Sequence, residues 1–194
     1  MKKVAILIVL ALQLAVCGCG SRTIANTNIN TASTSTWEAH LVGGTGPASQ
    51  LDFLTTFNVQ TYNNISVPLD IPSTGFNFFN VGQCFSTGFG VVSVTGNAAY
   101  ATTLGTDQVI GQLSMVVTSL TPAGNILTLT APQGGLTGIS NGTTTSGGTT
   151  TTGTLTNGVA VGTWTLTGPC TNGANPPPSG TFTMCQGTAT CTAP

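Results

Sequence analysis

What most constrains this chain is period-two alternation. In Gln108–Thr118, Val109, Gly111, Leu113, Met115 and Val117 fall on one side, and Ile110, Gln112, Ser114, Val116 and Thr118 on the other. Successive side chains of a strand point to opposite faces, so the pattern builds a half-buried strand and would not build an amphipathic helix. Thr121-Pro122-Ala123-Gly124-Asn125 is a turn, and Ile126–Ala131 is the returning strand of an antiparallel hairpin.

The alternation recurs along the chain. Thr36–Val42 puts Trp37, Ala39 and Leu41 inward, with Glu38 and His40 outward. Leu51–Gln60 puts Leu51, Phe53, Thr55, Phe57 and Val59 inward; Asp52, Thr56, Asn58 and Gln60 face out, and Leu54 is the apolar exception among them. Ile65–Ile71 carries Pro68, which suits an edge strand because proline donates no ladder hydrogen bond. Val91–Thr95 reads as a brief strand before a less regular stretch, Asn97–Thr106. Gln133–Gly158 is Thr/Gly-rich, with a weakly specified register. Within it, Asn157-Gly158 between Leu155 and Val161 predicts a two-residue type I′ hairpin turn. The strand that follows turns Gly162, Trp164 and Leu166 inward and closes at Gly168-Pro169-Cys170. A rigid loop, Asn175–Gly180, leads to a last strand, Gly180–Cys185. No amphipathic helix of useful length follows residue 20.

The first twenty residues set the compartment. Lys2 and Lys3 precede an apolar run from Val4 to Val16 that only Gln13 interrupts. That run is too short for a hydrocarbon core, which takes about 20 residues, but it suits a secretory signal. The segment ends Val16-Cys17-Gly18-Cys19, which resembles a bacterial lipoprotein signal. There a small residue precedes the cysteine that is lipidated and becomes the mature N-terminus. Gly18 makes Cys19 the expected lipidation site over Cys17, which follows the β-branched Val16. Parity agrees, since cutting before Cys19 leaves four further cysteines and cutting before Cys17 leaves five. An uncleaved anchor or an ordinary signal peptide is the alternative. Residues 1–18 are thus read as signal peptide, 19–35 as lipidated N-terminus and flexible tether, and 36–194 as the domain. By analogy with Gram-negative sorting, Gly20 in place of Asp favours the outer membrane.

Only 4% of the residues are charged, against about 25% usually. Beyond the leader, Arg22 stands alone against Glu38, Asp52, Asp70 and Asp107, a formal charge of −3. Nucleic-acid binding needs a Lys/Arg footprint that this chain lacks. Membrane association is therefore expected through the N-terminal lipid and not through headgroup electrostatics. Solubility rests on hydroxyls and amides.

Cys84, Cys170, Cys185 and Cys191 allow three disulfide connectivities in an exported chain. We expect Cys84–Cys170 and Cys185–Cys191. Five of the eight phenylalanines lie in Gly75–Gly90, at 76, 78, 79, 85 and 89. They form either a core plug under a glycine-rich loop or a partner patch at Phe76, Phe78 and Phe79 for an envelope glycan or protein. Glu38 and His40, two apart on one strand face, are the one acid/base pair available. Nothing matches a nucleophile elbow, phosphate loop or metal motif, so no catalytic residue, metal or cofactor is assigned.

Trp37 with Leu41, the run Gly162-Thr163-Trp164-Thr165-Leu166-Thr167-Gly168-Pro169-Cys170, and the later Ser179-Gly180-Thr181-Phe182 together carry a resemblance. The chain is similar to Thr/Gly-rich predicted lipoproteins of environmental bacteria, notably acidobacteria. That resemblance implies a lipid-anchored β domain and supplies no activity.

The expectation is one all-β domain, an antiparallel β-sandwich or closed β-barrel of about eight to ten strands. Its core is expected around Trp37, Phe53, Phe57, Leu113, Met115, Trp164 and Leu166. Its role is structural, adhesive or binding; the alternatives are an envelope hydrolase using Glu38 and His40, or a freely secreted β protein.

Overall fold

The computed structural model describes residues 35–44, 48, 51–61, 66–72, 75–79, 84–86, 92–102, 108–142, 153–187 and 191. All belong to the second of two units, Ser33–Pro194. The leader, Cys17, Cys19, the tether through residue 34, Phe89 and Asp107 lie outside the described residues.

The fold is all-β. Its strands are β1 (Ser35–Gly43), β2 (Phe53–Phe57), β3 (Gln60–Thr61), β4 (Ser66–Pro68), β5 (Asn77–Phe78), β6 (Val92–Thr102), β7 (Gln108–Leu120), β8 (Ala123–Gly142), β9 (Gly153–Thr167) and β10 (Ser179–Gln186). They form one antiparallel sheet in the order β4-β6-β7-β8-β9-β10-β1-β2-β5, with β3 added beside the start of β9. The sheet curls into a half-barrel around its apolar face. Pro68 lies in an end strand, as its missing N–H requires.

The expected inward faces are buried, including all seven predicted core residues. Trp37 stacks on Phe57 with ring centroids 4.8 Å apart, and its Nε1 donates to Phe57 O at 3.2 Å. Trp164 Nε1 donates to Val42 O at 3.1 Å. Both indoles thus bury their rings while pairing their one polar group. Gly180 admits the second indole, since a Cβ there would lie 2.8 Å from Trp164 Nε1 and overlap the Val42 carbonyl.

Three local expectations change. The brief strand at Val91–Thr95 is one long strand, β6, because its pairing with β7 runs unbroken from Val92↔Ser119 to Thr102↔Val109. The first part of the Thr/Gly-rich segment is the continuation of β8. There β8 advances from Ala131 to Leu136 while β7 moves only from Leu113 to Gly111, so Pro132, Gln133 and Gly134 bulge out and Leu136 re-enters the core. Asn157-Gly158 is no hairpin turn but a bulge inside β9: between Thr137↔Val159 and Ile139↔Thr156, β9 spends one residue more than β8. Asn157 does take a left-handed φ of 51°, the conformation a type I′ turn would also use. Gly158 is required because a Cβ would run into the Trp37 ring.

Two buried polar side chains, Gln186 and Asn125, tie these features together. Gln186 Oε1 accepts from Gly158 N at 2.9 Å, and its Nε2 donates to Leu155 O at 2.8 Å, satisfying backbone groups at the bulge. Asn125 Nδ2 donates to Cys84 O at 2.8 Å, and its Oδ1 accepts from Cys170 N at 2.9 Å. Those cysteines form one disulfide, and Cys185 and Cys191 form the other, as expected. Thr55 is different. It is fully buried opposite Trp37 on the core side of β2, and its Oγ1 has no hydrogen-bond partner. An unpaired buried hydroxyl costs about 1 kcal/mol or more, so Thr55→Val is expected to stabilise by about 1 kcal/mol. A thermal melt reads this as a rise of about 2–4 °C; an unchanged or lower midpoint would mean the hydroxyl is satisfied.

Candidate functional site

The outer face of the sheet has two regions of different chemistry. Across β6 to β10 and on to β1, one row reads Asn97, Ser114, Thr130, Thr163, Thr181 and Val42. The next row reads Thr95, Val116, Thr128, Thr165 and Ser179. β-branched residues suit this pleated surface, and the hydroxyls keep it wet without charge.

The β1–β2–β5 end is where ionisable groups gather. Ala39 pairs with Phe53 and Phe53 with Phe78, all facing the core. One step along in the same register, His40, Asp52 and Phe79 therefore share a row on the outer face, and Phe79 N donates to Asp52 O at 2.9 Å. The adjacent row is Cys185, Glu38, Leu54 and Asn77. His40 Nε2 lies 3.0 Å from Glu38 Oε1, and His40 Nδ1 lies 3.2 Å from Asp52 Oδ2. Asp52 Oδ1 also accepts from Leu41 N at 2.7 Å. The His40, Glu38 and Asp52 side chains are 27%, 41% and 33% exposed.

This cluster holds the one histidine of the chain and two of its four acids. Glu38 and His40 share a face, as their spacing implies. Asp52, which looks isolated in sequence, becomes the third member only through the β1–β2 register. The two carboxylates grip opposite nitrogens of one imidazole, so the ring is fixed in place. Both nitrogens can donate together only in the doubly protonated ring. The carboxylates point at the histidine from two sides, and among the described residues no group of three His, Cys, Asp or Glu is placed to hold a metal ion.

The aromatic patch proposed at Phe76, Phe78 and Phe79 does not form. Phe76 and Phe78 are buried, whereas Phe79 is 48% exposed. Phe53 stacks on Phe76 at 4.4 Å and Phe78 on Phe85 at 4.4 Å, so these rings fill the core as the plug reading expects. The reason is the strand period: Phe76 and Phe78 share one side, and Phe79 must take the other. Asn77 and Phe79 are both exposed.

Comparison with protein families, curated proteins and solved structures returned no match. The site's own chemistry therefore carries the functional argument.

Proposed function

We propose that this chain is an exported, lipid-anchored domain of the cell envelope, outer membrane favoured. It has a structural, adhesive or binding role exercised through the outer face of β1, β2 and β5. The observation that supports export is the pairing of Cys84–Cys170 and Cys185–Cys191, which accounts for the four cysteines that a cut before Cys19 would leave beyond the mature N-terminus. Disulfides persist in oxidising compartments. A diacyl or triacyl Cys19 meets the need for more than one chain in stable anchoring.

The test is palmitate labelling with membrane fractionation of wild type and Cys19→Ser. Label and membrane association are expected in wild type and lost in the variant. Label that survives Cys19→Ser moves the anchor to Cys17. A wild type that never takes label overturns the anchored reading in favour of a freely secreted β protein or an uncleaved leader.

Asp52 gives the hydrolase reading the third group that Glu38 and His40 need. Binding is still the better-supported role. A general base must leave one imidazole nitrogen facing the substrate, and here a carboxylate lies within 3.2 Å of each.

A further inference from the structure

We infer that Asn172-Gly173, in the connection from β9 to β10, is a site of spontaneous deamidation in the folded protein, and that Gln186 holds Asn157-Gly158 out of the same reaction. This modification is independent of the anchor and of the β1–β2–β5 face.

The chemistry needs only the chain and water. The Gly173 backbone nitrogen, once hydroxide has taken its proton, attacks Cγ of Asn172. A C–N bond forms, the Cγ–Nδ2 bond breaks, and Nδ2 leaves as ammonia with a proton from water. The product is a cyclic succinimide. Water then opens the ring at either of its carbonyls, leaving aspartate or isoaspartate at position 172. No electrons are transferred. Glycine is the most permissive residue to follow the asparagine, since it has no Cβ to block the approach.

The sequence holds three Asn-Gly pairs, at 141, 157 and 172. Asn157 and Asn172 are both exposed, and both take a left-handed φ of 51°. They are matched in backbone φ and in access to water. What differs is the glycine nitrogen that must attack. Gly158 N donates to Gln186 Oε1 at 2.9 Å inside a buried bulge. A proton held in this way is harder to remove, and breaking the bond strands a buried acceptor. Gly158 also lies against the Trp37 ring and the Leu155 side chain, so it has no room to swing towards Asn157. Asn141 and Gly142 are fixed in the β8–β9 ladder, opposite Thr154 and Gly153.

Gly173 has none of these restraints. Pro169–Thr171 forms a single 3-10 turn, and Asn172 N donates back to Pro169 O at 3.2 Å. Ala174 N donates to Thr171 O at 3.0 Å. Backbone bonds therefore flank Gly173, while among the described residues its own N–H has no partner. Gly173 is exposed, and a Cβ there would meet nothing within 4 Å. The nitrogen is open to hydroxide and the ring has space to close. Each event adds a carboxylate to a chain with four acids and, beyond its leader, one arginine. The protein thus ages into a more acidic form.

The experiment is peptide mapping by mass spectrometry of the exported, oxidised protein after timed incubation in mildly alkaline buffer, with the reduced, guanidinium-unfolded chain run in parallel. In the folded protein Asn172 is expected to convert at least about tenfold faster than Asn157 or Asn141, giving aspartate and isoaspartate together. In the unfolded chain the three should convert at similar rates, because glycine follows each. Asn172→Gln is expected to remove the first acidic band on isoelectric focusing. Gln186→Leu, incubated well below its melting temperature, should speed Asn157 several-fold and leave Asn141 unchanged, which separates release of the bulge from general unfolding. Equal rates at Asn157 and Asn172 in the folded protein, or an intact Asn172, overturn the inference. The same ranking in the unfolded chain also overturns it, by tracing the difference to local sequence. Asn157 unmoved by Gln186→Leu overturns the part given to Gln186.

Discussion

Replacing Cys84 and Cys170 together by alanine is expected to lower stability by about 4–5 kcal/mol. The bond spans 86 residues, and cross-linking so long a loop removes much of the freedom of the unfolded chain. The link also has a polar frame. Asn125 donates to the carbonyl of one cysteine and accepts from the amide of the other, and its own N–H is held by Ser119 Oγ at 3.0 Å. Ser119 in turn donates to Pro122 O, so the β7–β8 turn and the disulfide are one connected unit. Cys185–Cys191 closes only a six-residue separation, and its removal is expected to cost roughly 2 kcal/mol on the same entropic argument. Urea unfolding of the two double variants measures both. Equal losses would show that loop length is not what sets the stabilisation. Asn125→Leu with both disulfides intact should still destabilise, because Cys84 O and Cys170 N lose their shared partner.

Gln186→Leu is expected to cost about 2–4 kcal/mol, although leucine is apolar, of similar size and enters a buried site. Gln186 is 5% exposed, and its amide is the hydrogen-bond partner of both Gly158 N and Leu155 O. Leucine would strand those two groups where water cannot reach them, at about 1–3 kcal/mol each with partial relaxation. The loss should appear as a lower thermal midpoint, together with faster hydrogen exchange at Gly158. A variant as stable as wild type would mean that the bulge finds other partners. The bulge cannot readily flatten, because Gly158 lies against the Trp37 ring and Asn157 holds a left-handed φ.

These two sites show where reading the chain alone succeeds and fails. The faces of β1, β2 and β7 were legible because alternation is a property of neighbouring residues. The burial of Trp37, Phe53, Leu113 and Met115 follows from it directly. At Asn157-Gly158 the type I′ expectation is met only at Asn157, which takes the left-handed φ; Gly158 does not, and the pair is a bulge inside β9 and not a turn. Only β8 and Gln186 decide that the chain continues through it. In the same way, Pro132–Gly135 looks like featureless low complexity until Leu136 is seen to return to the core.

The candidate site divides along the same line. Glu38 and His40 share a face by spacing alone, and the opposition of Phe78 to Phe79 was implicit in the strand period. Asp52 immediately precedes another strand, β2, beyond a loop whose length says nothing of register. Asn125 and Gln186 look like ordinary polar residues until the backbone groups they satisfy are in view.

By itself, the sequence determined that this domain is built of antiparallel strands, which residues each strand turns inward, and that four cysteines are available to pair. Those are consequences of side-chain period, turn chemistry and composition, all of which act over a few residues. Only the tertiary structure decided that the strands form one curled sheet, that β9 bulges where a hairpin was expected, and that Asp52 comes to lie between His40 and Phe79. Register between strands far apart in sequence is set by which apolar side chains fill the core together and which buried backbone groups find partners, and no local pattern records either.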